Sequence, residues 1–153
     1  MSKSLKRVTA ALEAHGLPGP PVEMPGETRT AQQAADAVGC LLDQIAKSII
    51  FGTEDGCALF LTAGGNQVDP ERASALAGVA LTRADADTVR RVTGFAIGGV
   101  SPLGHLSRSP VWMDSRLMAF DTVWAAAGTP RHVFPVAPAD LLRASGASLA
   151  DFT

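Results

Sequence analysis

The sequence predicts an α+β fold, with a mixed or antiparallel sheet, able to curl, flanked by helices. Three observations lead there. Strand-like and helix-like segments are interspersed along the 153 residues without a regular βαβ rhythm. Residues 47–52 and 57–63 are β-rich runs separated by Thr53-Glu54-Asp55-Gly56, the pattern of a hairpin. Hydrophobic residues make up 46% of the chain and charged residues 18%, enough apolar material for a core and too little charge for disorder. One domain spanning residues 1–153 is expected.

Taken in order, Leu5, Val8, Ala11 and Leu12 recur at helical spacing, and Gly16 with Pro18 ends that helix. Residues 19–26 form a proline-rich connector with room for a short strand. Thr30 followed by Gln33 has the form of a capping box. The helix it opens is expected to bury Ala34, Ala37, Val38 and Leu41. After the hairpin, Gly64-Gly65-Asn66 breaks the second strand, and Asp69-Pro70 begins a helix. Residues 79–82 read as a short strand and 85–92 as a helix, acidic early and carrying Arg90-Arg91 late. Residues 95–97 look like an apolar strand that stops at a glycine loop. Strands are expected at 111–113, 122–127 and 132–136, with a turn or helix at 115–120 and a last helix at 138–144. The chain ends are expected to be less ordered than the middle.

The formal net charge of −2 argues against wrapping nucleic acid electrostatically, so an RNA partner would be gripped locally, at an end. Cys40 and Cys57 are too few for a disulfide framework and lack metal-ligand spacing. His15, His105 and His132 form no metal constellation, and no cofactor is expected. The N-terminus is polar and basic, and no apolar run has membrane length. A soluble cytoplasmic protein without a membrane partner is the expectation.

The most informative stretch is Gly98-Gly99-Val100-Ser101-Pro102-Leu103-Gly104. It is neither a Walker A loop nor Gly-x-Gly-x-x-Gly. Either it is an ordinary tight turn, or it is a cradle whose main-chain N–H groups meet a carbonyl oxygen. Lys47 lies in an apolar run and, in an alternating strand, shares a face with Ile49 and Phe51. It is either a strand-end lysine with a solvated head or an anchor for a carbonyl, a ribose hydroxyl or a phosphate. Ser48 points to the opposite face of a regular strand. His132 is either a half-exposed strand histidine or a pocket residue. Ser101 and Ser109 lack a nucleophile-elbow context, which disfavours a Ser-His-Asp mechanism. Arg108 lies near enough to the loop to meet a phosphate. Trp112, Trp124 and the six phenylalanines read as core.

Three segments together, Gln44 through Phe51 around Lys47, Thr93 through Gly104, and Phe120 through Gly128, closely resemble the YbaK/prolyl-tRNA-synthetase-associated editing domain family, in the same order along residues 28–142. The lysine paired with the Gly-x-x-x-Pro loop of Gly98 and Pro102 carries the resemblance. It implies a mixed, barrel-like sheet among helices, and a free-standing deacylase that hydrolyses the ester of mischarged tRNA, usually tRNA(Pro), in trans. By resemblance, Lys47 and Gly98 are the catalytic pair, without metal or covalent intermediate, and the attacking water is assisted by the ribose hydroxyl. Thr30, Ser48, Phe95, Gly99, Val100, Ser101, Pro102, Gly104, Gly128 and His132 are the expected substrate-binding residues. The implied partner is the aminoacyl-tRNA acceptor end, with prolyl-tRNA synthetase as a candidate recruiter and DNA excluded.

Such a site acts as a size sieve, because a synthetase pocket rejects a slightly smaller or isosteric amino acid only weakly. Where the cysteinyl-specific branch of the family carries a serine and later an aspartate, this chain has Ala126 and Val133. His132 resembles the pocket histidine of alanyl-type members. A small uncharged amino acid, such as Ala, 2-aminobutyrate, Ser or Thr, is therefore expected. Two other readings compete: a catalytically silent module binding a tRNA end or a synthetase, and a small-molecule esterase.

Overall fold

The computed structural model describes residues 2–153. Its helices are α1 (Lys3–Ala14), α2 (Ala31–Val38), α3 (Pro70–Ala77), α4 (Ala86–Thr93) and α5 (Pro138–Ser145). Its strands are β1 (Val22–Glu23), β2 (Ile45–Gly52), β3 (Cys57–Ala63), β4 (Thr82–Arg83), β5 (Val111–Asp114), β6 (Val123–Ala126), β7 (His132–Val136) and β8 (Ser148–Ala150). The sheet runs β1-β7-β6-β2-β3-β5-β8, with β4 also on β2, and does not close on itself. Four pairings are antiparallel and three parallel, so the expected mixed α+β architecture holds.

The β2–β3 hairpin is the centre. Every residue of β3 is buried, which explains its continuous apolar run. Leu59, Leu61 and Ala63 face the main core with α1, Phe95 and Phe134, whereas Ala58 and Phe60 face a second cluster with Ala73 and Phe152. Trp112 stacks on Phe60 with ring centroids 5.0 Å apart, as a core aromatic should.

Local chemistry sets most boundaries. Ser2, Thr30, Asp69 and Asp85 cap their helices through side-chain oxygens. The amide of Gln33 reaches back to the N–H of Arg29, one residue before the cap, in a displaced capping box.

Several expectations need correction. Residues 95–97 are not a strand; α4 ends at Gly94 and a 3-10 turn covers Ile97–Gly99. α2 stops at Gly39 in a left-handed conformation, which buries Ala34 and Ala35 and leaves Leu41 exposed. Of the strand expected at 79–82 only Thr82 is in a strand, the two-residue β4, which continues to Arg83. The C-terminal end is not loose: β8 pairs with β5 in parallel, and Phe152 is fully buried.

Candidate active site

The sheet's connectivity creates a gap beside Lys47. On one edge, β2 pairs with β6 through Ile45 and Ala46, then with β4 through Phe51 and Gly52. Residues 47–50 have no strand partner on that edge among the described residues. The gap widens into a cavity of about 130 Å3, lined by Ala46, Lys47 and Ser48 of β2, Trp124 to Ala126 of β6 and Gly98. Thr28 to Ala31 at the start of α2 form another wall, with Thr129, Pro130, His132 and Val133 opposite. Its volume is below the ~300–1,000 Å3 of pockets that hold drug-sized ligands, so it suits a small group.

Five of the twelve expected site residues meet here: Thr30, Lys47, Ser48, Gly98 and His132. Lys47 donates from Nζ to the carbonyl of Asn66 at 2.6 Å, which leaves two of its three N–H donors. Burial pushes its ammonium below the ordinary lysine value, against the opposing pull of Asp114 and Asp43. The Ser48 hydroxyl is buried and finds no partner among the described residues. The His132 ring is held at Nδ1 by the Thr129 hydroxyl, 2.7 Å away.

The other seven do not line this cavity: Gly99, Val100, Ser101, Pro102 and Gly104 belong to the rest of the loop, and Phe95 and Gly128 pack near it. Phe95 is fully buried, under the guanidinium of Arg7 at 4.9 Å and edge-on to His105. Gly99 is buried against residues 128–129: an added Cβ would lie 3.0 Å from the Thr129 backbone. Its N–H is already used by the Ala96 carbonyl at 2.9 Å. Gly128 presses on the Ser4 carbonyl from a left-handed conformation, φ 93°. Val100, Ser101 and Pro102 are buried, the Ser101 hydroxyl accepting from the Leu103 N–H. The seven-residue loop is therefore not a cradle along its length; Gly98 is the part of it that lines this cavity. A Cβ added at Gly98 would meet nothing within 4 Å.

A larger cavity, about 530 Å3, lies beside the same loop. Pro102, Gly104, His105 and Arg108 line it, and neither Lys47 nor Gly98 does. Arg108 thus belongs to a different surface from Lys47. No group of three or more His, Cys, Asp or Glu able to hold a metal occurs among the described residues.

The sequence did not reveal Arg7, which donates to the carbonyls of Gly94 and Gly104 and so ties the end of α4 and the end of the loop to α1. Nor did it reveal Arg29, Thr129 and Trp124 as pocket residues. Only the capping signal at Thr30 hinted that Arg29 would stand at a helix start. Ala126 and Val133, the two departures from the cysteinyl pattern, face each other across β6 and β7 and both line the cavity. The wall is apolar there, and no carboxylate among the described residues lines the pocket.

The family model of the aminoacyl-tRNA editing domain matches residues 25–144. The chain belongs to the aminoacyl-tRNA editing domain family. This editing domain is 32% identical over 120 residues to an uncharacterized protein, YwhH, of Bacillus subtilis (strain 168), a match covering 78% of this chain and 76% of that one. It is 26% identical over 142 residues to a proline–tRNA ligase of Shouchella clausii (strain KSM-K16), covering 90% of this chain and only 24% of the ligase. Among solved structures, one described as a candidate trans-editing enzyme for prolyl tRNA synthetase superposes with a TM-score of 0.93 at 45% identity, covering 100% of this chain and 98% of that one. Hypothetical protein APE2540 superposes with a TM-score of 0.85 at 26% identity over 95% and 98% of the two chains. No helix of the described residues is long and apolar enough to cross a membrane.

Proposed function

We propose that this editing domain is a trans-acting deacylase that hydrolyses the ester of a mischarged aminoacyl-tRNA, tRNA(Pro) bearing a small uncharged amino acid. The observation that carries the reading is the convergence of Lys47 and Gly98, distant in sequence, on one cavity of about 130 Å3. The similarity to a proline–tRNA ligase and to a candidate trans-editing enzyme supports prolyl-tRNA as the substrate class.

The residues suit roles in such a reaction. The Lys47 ammonium, with two unused donors, neutralises charge that builds on the ester oxygens or a neighbouring phosphate. The main chain at Gly98 faces the acyl group and sets the space left for its side chain. His132 and Ser48 supply polar contacts to the aminoacyl or ribose hydroxyl groups. The apolar pair Ala126 and Val133 accepts a small aliphatic or hydroxyl side chain but offers nothing to a cationic one. Among the described residues no carboxylate lines the cavity, and by the family resemblance the attacking water is assisted by the substrate's own vicinal hydroxyl. That hydroxyl also makes RNA rather than DNA the substrate.

The test is a panel of mischarged tRNA(Pro) and tRNA(Ala) species incubated with the wild-type protein and with Lys47→Ala. Loss of ester from a small-residue tRNA(Pro), reduced roughly tenfold or more by Lys47→Ala, is expected. Binding of these tRNAs without hydrolysis of any would replace the enzyme by a silent recognition module. Hydrolysis insensitive to Lys47→Ala would remove Lys47 from the mechanism.

A further inference from the structure

The turn at Gly64-Gly65-Asn66 reads in sequence as a mere strand break, yet the side chains of Asp43, Asp114 and Lys47 all bond to it. Asp114 of β5 is almost wholly buried, at 5% exposure. Its Oδ2 accepts the Ala63 N–H at 3.1 Å and the Asn66 side-chain amide at 2.9 Å. Its Oδ1 accepts the Arg116 N–H at 3.0 Å. From the other side, Asp43 accepts the Gly65 N–H at 2.8 Å and pairs with the Arg116 guanidinium at 3.0 Å. The Arg116 hydrogen bond, ahead of that of Gly65, holds the Asp43 carboxyl below the usual carboxylate range. So anchored, the turn presents the Asn66 carbonyl to Lys47.

We propose that the Gly64-Gly65-Asn66 turn, gripped between Asp43 and Asp114, is a positioning clamp that aims the Lys47 ammonium into the cavity. The kinetic consequence rests on the deacylase reading; the clamp itself does not. Three physical points carry it. First, Lys47 is a long chain whose rotamers must be restricted for a catalytic geometry to persist, and one strong charge-assisted bond to a fixed carbonyl restricts them. Second, the glycines are required by close approach: a Cβ at Gly64 would collide with the Leu42 carbonyl, and one at Gly65 with Asp43 Oδ1. Third, the acceptor is a main-chain carbonyl, so the anchoring side chains act through the turn and do not themselves touch Lys47. The two carboxylates also oppose the loss of charge that burial imposes on the ammonium. Arg29 at the start of α2 and His132 of β7 are the other titratable or charged groups lining the cavity with Lys47.

Asn66→Ala is the discriminating variant, because it keeps the carbonyl that accepts Lys47 and removes only the tether to Asp114. We expect the deacylation kcat/KM to fall about tenfold or more, with little change in melting temperature, and to fall no further when Asn66→Ala is added to Lys47→Ala. Unchanged activity, or equal losses in both backgrounds, would overturn the clamp. A second measurement needs no substrate: NMR titration of the Lys47 side-chain nitrogen in wild type, Asn66→Ala and Asp43→Asn. The Lys47 titration should move down in Asp43→Asn, which removes an anion and loosens the turn, and should be displaced in Asn66→Ala. A titration unaffected by either change overturns the clamp even in an active enzyme. A displaced titration in Asn66→Ala, which leaves both carboxylates in place, sustains the clamp even in a protein that hydrolyses no aminoacyl-tRNA, and the deacylase reading alone is then rejected.

Discussion

The Thr129 hydroxyl lies 2.7 Å from Nδ1 of His132 and also accepts the Arg131 N–H at 3.1 Å. This contact holds the imidazole in one orientation and leaves Nε2 as the ring nitrogen that Thr129 does not engage. Thr129→Val removes this orientation while nearly preserving shape. The expected outcome is a fall in kcat/KM on the order of tenfold, in the same direction as His132→Ala, with the two losses non-additive. Full activity in Thr129→Val, measured on the best mischarged tRNA, would show that the hydrogen bond is not used.

Gly98 and Gly99 are adjacent but differ in what limits them. A Cβ at Gly98 enters open space, so Gly98→Ala should change stability by no more than about 1 kcal/mol. It should nevertheless lower deacylation, most for the larger acyl groups. A Cβ at Gly99 would sit 3.0 Å from the Thr129 backbone, so Gly99→Ala should cost roughly 1–3 kcal/mol. Chemical denaturation of both variants beside the tRNA panel checks the contrast. Equal stabilities would contradict the packing account.

His105 provides a pH signature of the fold. Burial lowers its imidazole below the ordinary value, against the pull of its hydrogen bond to the Ser101 carbonyl, and the charge of Arg7 acts in the same direction as burial. Because the folded value is below the unfolded one, the group costs nothing above about pH 6.5. Stability is lost as pH falls from there through the lowered folded value. Melting temperatures recorded from pH 7 to pH 5 should therefore drop less in His105→Gln than in wild type. Parallel curves would dismiss the effect.

Phe152 is a test of the C-terminal end. Its ring is fully buried, edge-on to Phe60 with centroids 5.0 Å apart. Phe152→Ala should destabilise by about 3–5 kcal/mol, visible as a shifted denaturation midpoint. A midpoint near wild type would mean that the second core cluster tolerates loss of this ring.

Much of the fold was legible because its signals are local. The caps at Thr30, Asp69 and Asp85 bind amides two or three residues away, and the 53–56 turn joins strands already marked by apolar runs. β8 was not legible: Ser148-Leu149-Ala150 is a short, half-exposed segment that is a strand only because β5 offers it an edge. The expected strand at 95–97 failed for the converse reason. Phe95 is apolar because it supports the loop under Arg7, not because it belongs to the sheet.

The sequence alone determined the α+β class, the hairpin that carries Lys47, and the position of the glycine-proline loop at residues 98–104. Periodicity, capping and turn chemistry act over a few residues, so they can be read without the fold. Only the tertiary structure decided which residues share the cavity. It brought Arg29, Trp124 and Thr129 beside Lys47 and Gly98, and it sent Gly99 through Gly104 behind the wall. That division follows from where β2 leaves β6, from the grip of Arg7 on the loop and from the approach of residues 128–129 to Gly99. Each of these is a contact between segments far apart in the chain, and no local pattern encodes it.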